Sequence, residues 1–245
     1  MKLVTIPVSH FCEKARWGLD RSGLQYTEQP YAPVLHRASV MPRGSKTAPV
    51  LLLGRRQDVL GSCAILEHCD RHGSGTPLFG EDPDVRGEVE QLVARFDKRL
   101  GPPVRSWLYS WALEDRGELL RYCTLGVPSA QRRLVKAALP AFERVMRMAF
   151  KVTPQTHAEC AERVGAELEF VSDLLADGRQ FLAGDRFTAA DLTFAALAGP
   201  AVSAPGYGGA QITLPDDPPD LAPEIGAWRA TPAGRFAHTI YRDWR

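Results

Sequence analysis

Residues 3–14 read Leu3-Val4-Thr5-Ile6-Pro7-Val8-Ser9-His10-Phe11-Cys12-Glu13-Lys14, and the fold turns on this stretch. Leu3–Ile6 has the apolar, β-branched character of a short strand. A helical pattern follows from Phe11 through Ala15, Arg16 and Leu19 to about Arg21, where Ser22-Gly23 stops it. A hydroxyl and a thiol, Ser9 and Cys12, therefore stand where a strand ends and a helix begins. The unpaired N–H groups and the dipole of a helix start favour negative charge, so the place suits a thiolate. Ser9 can cap the helix by accepting the Cys12 N–H. Glu13 in the first turn suits the dipole and reads as solvated. Arg16 shares a helix face with Cys12; it is either a buried structural cation or a group that depresses the thiol pKa. A cysteine on an apolar helix face is by default inert core.

Outward from this junction, strand and helix signals alternate to about residue 75. Leu24–Tyr31 reads as a second strand, and residues 32–47 as an irregular region with a short helix. Val50–Leu53 and Gln57–Leu60 flank Gly54-Arg55-Arg56 as a hairpin. Ser62–His72 is helical again, with Ile65, Leu66 and Cys69 on one face. The order is β-α-β-α-β-β-α. Residues 76–83, Thr-Pro-Leu-Phe-Gly-Glu-Asp-Pro, read as a turn-rich linker. Beyond it the pattern is helical. One stripe runs through Val85, Val89, Leu92, Val93, Phe96 and Leu100, is interrupted by Gly101-Pro102-Pro103, and resumes at Val104, Trp107, Leu108 and Trp111. Another runs from Leu134 to Ala149, with Pro140 expected to bend it, and a third from Ala161 to Leu175. The Pro- and Gly-rich residues 199–223 read as a long surface loop, and Pro223–Arg229 as the last helical piece.

Charge excludes some partners. Lys+Arg is 30 and Asp+Glu is 29, so neither nucleic acid nor an anionic membrane is expected. No apolar run approaches a bilayer-spanning length, and the opening Met-Lys-Leu-Val-Thr-Ile-Pro is too short for a secretory signal. A cytoplasmic protein is the expectation. The five cysteines are an odd, scattered set without CxxC or zinc spacing, so neither a disulfide framework nor a metal is expected.

Three later features bear on the Ser9 junction. Ala48-Pro49-Val50 opens a buried strand. Its proline is either an ordinary trans residue at a strand start or a cis residue that turns the Ala48 backbone toward a ligand. Ser62 begins a helix, as a plain N-cap or as a hydroxyl gripping a carboxylate. Thr188-Ala-Ala-Asp191 is a capping box, a structural signal for a helix start.

Together these residues resemble a cytosolic glutathione transferase over the whole chain. The most specific match is Phe181-Leu-Ala-Gly-Asp-Arg-Phe-Thr-Ala-Ala-Asp-Leu192, followed by the Ser9–Arg16 stretch and by Ala48-Pro49-Val50-Leu51. The resemblance implies an α/β thioredoxin-like, glutathione-binding domain at 1–75, a linker at 76–84 and an all-helical bundle domain at 85–245 contributing the electrophile site. It places Ser9 at the activating position and Pro49 on the cis-proline. Ala48 falls on the residue whose backbone pairs with the glutathione cysteine, and Ser62 on the serine that holds the γ-glutamyl carboxylate. Phe11, Lys46 and Gly61 complete the glutathione side, Lys46 near the glycyl carboxylate. Gly61 departs from the family pattern, which commonly has Glu or Asp there to meet the γ-glutamyl ammonium.

The implied activity is conjugation of glutathione, as co-substrate, to a small hydrophobic electrophile, with Ser9 stabilising the thiolate. No metal takes part in that chemistry, and a homodimer is the implied assembly. Arg105 and Tyr109, with Trp107 and Trp111, are candidates for the electrophile wall. Thiol–disulfide exchange through Cys12 is the enzyme alternative; it is disfavoured because the attacking position of the motif holds serine and Cys12 the more buried one. A non-catalytic scaffold that keeps the fold is the other, and Gly61 is the feature that favours it.

Overall fold

The computed structural model describes residues 1–54, 57–153, 155–209, 212 and 216–245. β1 (Lys2–Thr5) lies parallel to β2 (Thr27–Pro30), pairing Lys2 with Thr27 and Thr5 with Pro30. A parallel pair needs a crossover connection, and α1 (His10–Ser22) supplies it. Gly23, at φ 73°, closes α1 in the left-handed conformation that glycine adopts without steric cost. After a short α2 (Arg37–Val40), β3 (Val50–Leu52) pairs antiparallel with β1, and β4 (Val59–Leu60) antiparallel with β3. The sheet order is β2-β1-β3-β4. The expected hairpin is present, while Arg55 and Arg56 of its turn lie outside the described residues. α3 (Ser62–His72) packs on α1.

The remainder is helical. Asp82 caps α4 (Pro83–Arg99) by accepting from the Asp84 and Val85 N–H groups. Gly101-Pro102-Pro103 ends one helix and starts the next, α5 (Gly101–Ala112), because proline in a first turn gives up an N–H that has no intrahelical partner anyway. Pro140 acts the same way. Instead of bending one helix it separates α7 (Ser129–Ala137) from α8 (Leu139–Phe150), after a short α6 (Arg116–Thr124). α9 (Thr156–Leu174) packs on α5.

α10 (Ala189–Val202) is buried along its whole length. Its start is the capping box: Asp191 accepts from the Thr188 N–H (2.8 Å), the Thr188 hydroxyl (2.9 Å) and the Leu182 N–H (2.7 Å). The loop expected from residue 199 begins later, because α10 continues through Gly199 and Pro200. A Cβ at Gly199 would come 2.6 Å from the Tyr207 ring, so glycine there serves a close approach. The Ala-, Leu- and Phe-rich burial of α10, at about 1.5–3 kcal/mol per large apolar side chain, outweighs one hydrogen bond lost to proline. Of the following segment, residues 210, 211 and 213–215 lie outside the described ones. α11 (Ala222–Arg229) is not the last helix; α12 (Pro232–Trp244) follows and packs on α10.

α1 lies between α3 and α10, and one apolar cluster runs from Val8, Trp17, Leu66 and Phe79 into the helices. That position explains the charges on α1. Glu13 is fully buried rather than solvated, paired with Arg16 (3.2 Å) and with Arg245 (2.7 Å). Arg16 also holds Glu28 (2.9 Å), and Lys14 reaches Asp97 (2.8 Å). Each buried charge has a partner, as the cost of desolvation requires.

Candidate functional site

Four contacts hold the loop between β1 and α1. Arg16 donates to the Pro7 carbonyl (3.0 Å), and the Tyr207 hydroxyl to the Val8 carbonyl (2.9 Å). The Ser9 N–H donates to the Ile6 carbonyl (2.9 Å), and the His10 ring Nε2–H to the Gly101 carbonyl (3.0 Å). Burial and the charge of Arg105 push the His10 pKa down to about 3, so this imidazole is neutral. Its neighbour Phe11 covers Gly101, where a Cβ would come 2.5 Å from the Phe11 ring. The start of α1 is thus docked on the start of α5.

Ser9 stands at the N-cap with extended backbone, but its side chain makes no capping bond, contrary to the expected one to Cys12 N–H. Cys12 is fully buried, and its sulfur accepts the Ile6 N–H at 3.4 Å. Burial pushes its pKa up to about 11, against the opposing pull of Arg16, the Ile6 N–H and the Ser9 hydroxyl. Arg16 therefore does not make Cys12 a thiolate at neutral pH; its own charge is engaged with Glu28 and Glu13.

The Ala48–Pro49 peptide is cis, the sharper of the two readings. The Pro49 carbonyl accepts the Gly61 N–H (3.1 Å), which ties this turn to the start of α3. The cap residue of α3 is Gly61, not Ser62, with φ 87° and ψ 156°. That is a region essentially restricted to glycine. Ser62 is the first helical residue, and its side chain is largely buried.

A cleft of about 220 Å³ opens between the Ser9 loop, residues 33–48, α5 and α8. Ser9, Phe11, Lys46, Ala48, Arg105 and Tyr109 line it together; Cys12, Pro49, Gly61 and Ser62 do not. Of the other two wall candidates, Trp107 is core, edge-on to Trp228 and donating to Glu224 (2.6 Å). Trp111 lines a different depression beside Asp217 and Pro218. On α5 the positions 105, 108 and 109 share the cleft face, while 107 and 111 fall on another.

His10, His36, Arg37, Tyr122, Met146 and Phe150 also line the cleft, although the sequence offers none of them as a site candidate. Met146 and Phe150 are one helical turn apart, a usable signal. His36 and Arg37 lie in an irregular stretch without periodicity. Tyr109 and Phe150 stack with centroids 4.4 Å apart. Among the described residues, no cluster of three or more His, Cys, Asp or Glu is placed to hold a metal, and no helix is long and apolar enough to cross a membrane.

A mixed sheet with a cis-proline turn, joined to a helical bundle across a cleft, defines a thioredoxin-like fold carrying an all-helical partner. Residues 3–77 match the glutathione S-transferase N-terminal domain and residues 154–244 the glutathione S-transferase C-terminal domain. The chain belongs to the glutathione S-transferase family. Among curated proteins it is 30% identical over 176 residues to FtsZ-localized protein A of Caulobacter vibrioides (strain NA1000 / CB15N). That match covers 71% of this chain and 61% of the relative, so the chain spans less than two thirds of that protein's length. Among solved structures it resembles the beta-etherase LigF from Sphingobium sp. strain SYK-6 (TM-score 0.61, 19% identity, 97% of this chain and 98% of that one). It also resembles a glutathione S-transferase from Rhodospirillum rubrum F11 (TM-score 0.58, 21% identity, 96% and 90%). At these identities the two structures speak to the fold alone.

Proposed function

We propose that the protein is a glutathione transferase in which Ser9 stabilises the bound thiolate and the cleft between the two halves receives the electrophile. The observation that carries this reading is the Ser9 hydroxyl, which lines the cleft and is not spent on capping α1. It can donate to the glutathione sulfur. A hydrogen bond to a charged group is worth roughly 1.5–3 kcal/mol, which lowers a thiol pKa by about one to two units. The thiol proton leaves to solvent, the sulfur forms its bond to the electrophilic carbon, and the leaving group departs with its bonding pair. Cys12, a thiol at neutral pH, can donate to the Ser9 oxygen and orient its O–H outward. Burial of Cys12 weighs against thiol–disulfide exchange, since the thiolate is the attacking species and exposure is needed.

The glutathione side is read from the resemblance: the Ala48 backbone beside the cysteine, Ser62 at the γ-glutamyl carboxylate, Lys46 toward the glycyl carboxylate. The division into 1–75, 76–84 and 85–245, a homodimer and a cytoplasmic place are proposed on the same footing. A second reading, a non-catalytic binding protein, is favoured by the relative whose name marks it as FtsZ-localized and by Gly61 in place of an acid. The test is calorimetric glutathione binding together with the ultraviolet thiolate band of the complex across pH, for wild type, Ser9→Ala and Cys12→Ala. Conjugation predicts a thiolate band lost with Ser9 and kept without Cys12. If activity is lost only with Cys12, exchange replaces it; no binding by any variant leaves the binding protein.

A further inference from the structure

The cleft is lined by cations and by no acid. Its lining includes Arg37, Lys46 and Arg105, together with His10 and His36, and no Asp or Glu. Among the described residues, no carboxylate lies within ion-pairing distance of any of these three cations. This contrasts with α1, where Glu13, Lys14 and Arg16 are all paired. Two buried donor or acceptor atoms in the lining are also without a hydrogen-bond partner, Arg105 Nε and His36 Nδ1. A guanidinium cannot shed its charge, so a partly desolvated one without an anion is a standing cost that a ligand can relieve.

The cations divide between the walls. Arg37 and Lys46 belong to residues 33–48, the wall where Lys46 is expected to meet the glycyl carboxylate of the tripeptide. Arg105 is on α5, on the helical wall, beside Tyr109, Met146 and Phe150. Its guanidinium lies 5.4 Å from the Phe150 ring centroid. His10 cannot compete for an anion as a second cation, because it is buried and its Nε2–H is committed to the Gly101 carbonyl. Tyr109 stays a neutral phenol in its buried place. One fixed charge set among aromatic and thioether side chains fits a flat, singly anionic molecule.

Resting on the transferase reading above, we propose that the electrophile of this cleft is an aromatic carboxylate, its carboxyl group paired with the Arg105 guanidinium and its ring lying against Tyr109 and Phe150. Arg105 is then a specificity-determining residue that selects anionic over neutral acceptors.

The test uses the full chain and a matched pair of acceptors, 4-chloro-3,5-dinitrobenzoate and its methyl ester. In either, the glutathione sulfur bonds to the chlorine-bearing carbon, the carbon–chlorine bond breaks, chloride leaves with the electron pair, and the thiol proton goes to solvent. Each kcat/KM is divided by the uncatalysed rate of the same compound with glutathione, which removes their intrinsic difference. The expected wild-type ratio favours the acid by about 10-fold or more. Arg105→Gln lowers that ratio by about 10- to 100-fold, the range of one charge-assisted pair, and Arg105→Lys restores part of it. A binding readout accompanies the kinetics: calorimetry of the unreactive 3,5-dinitrobenzoate and its methyl ester, with S-methylglutathione present. Wild type should bind the acid the more tightly.

If neither acceptor reacts but the acid binds in an Arg105-dependent way, the anion site stands and the transferase reading falls. If both react and Arg105→Gln leaves the ratio unchanged, the anion site falls and the transferase reading stands. If Arg105→Gln weakens glutathione binding while the ratio holds, the guanidinium serves the tripeptide and the proposal is overturned. Should Arg105→Gln not fold, equal wild-type affinity for acid and ester overturns it as well.

Discussion

Gly61 sets two effects against each other that separate substitutions can resolve. Its φ of 87° with ψ 156° lies where a side chain is strained, although a Cβ there would meet nothing within 4 Å. Gly61→Ala therefore tests the backbone alone. Holding a residue in such a region costs about 1–3 kcal/mol, and no lost contact obscures it. Gly61→Asp adds the acid that relatives of this family commonly carry. If that carboxylate reaches the γ-glutamyl ammonium, it gains roughly 1.5–3 kcal/mol, a factor of about 10 to 150 in affinity. Both variants should unfold at lower denaturant concentration than wild type, with an unchanged slope, and only Gly61→Asp should bind glutathione more tightly by calorimetry. A Gly61→Ala protein as stable as wild type would refute the backbone argument. Equal glutathione affinity for Ala and Asp at this position would refute the assignment of Gly61 to the ammonium.

Three other outcomes follow from the geometry. Cys12→Ala should keep glutathione conjugation within a few-fold while losing about 1–3 kcal/mol of stability in denaturant titration, since the buried Ile6 N–H loses its acceptor. Tyr207→Phe leaves the Val8 carbonyl without its donor; a thiolate band displaced to higher pH would mark Tyr207 as positioning Ser9, whereas a stability loss alone would make it structural. Burial pushes the Asp191 pKa up to about 6 from an ordinary 3.8. The native state then holds a proton that the unfolded chain has released, so this group's contribution to stability is full below about pH 4 and is lost as pH rises through 6, by on the order of 3 kcal/mol. The pH dependence of unfolding measures this, and Asp191→Asn should flatten that component.

Much of this arrangement is written locally. The β1–α1 junction is legible because a period-two run gives way to a 3.6-residue pattern with polar residues between them, and the capping box because its partners are three residues apart. The cis peptide at Pro49 is legible only beside Ser9 and Ser62, since isolated X–Pro bonds are mostly trans. What stays hidden depends on distant partners. Glu13 reads as solvated because its second cation, Arg245, is 232 residues away. α12 escapes notice because Thr231-Pro232 reads as a stop after α11, whereas Thr231 caps α12 by accepting the Gly234 N–H and Pro232 opens its first turn. On α5 the aromatic stripe alone cannot say which face meets the cleft. Trp107 and Trp111 share one helical row and Arg105 and Tyr109 another, and only packing against α8, α9 and α11 separates core from cleft.

The freedom of the Ser9 hydroxyl depends on how the surrounding loop is held. A helix N-cap ordinarily fixes its own backbone by spending its side chain on the first turn. Here that work is distributed: Arg16 holds the Pro7 carbonyl, Tyr207 the Val8 carbonyl, and His10 the Gly101 carbonyl. Two of those three links reach residues beyond position 100, so the helical half fixes the geometry of a group that belongs to the first half. The same docking brings Arg105, four residues after Gly101 on α5, to the cleft with no acid beside it. A donor not spent on the helix cap and a cation without an acid, on facing walls, are then two results of one interface. A substitution that loosens α1 from α5 should impair thiolate stabilisation and acceptor selection together, whereas substitutions at Ser9 or Arg105 should separate them.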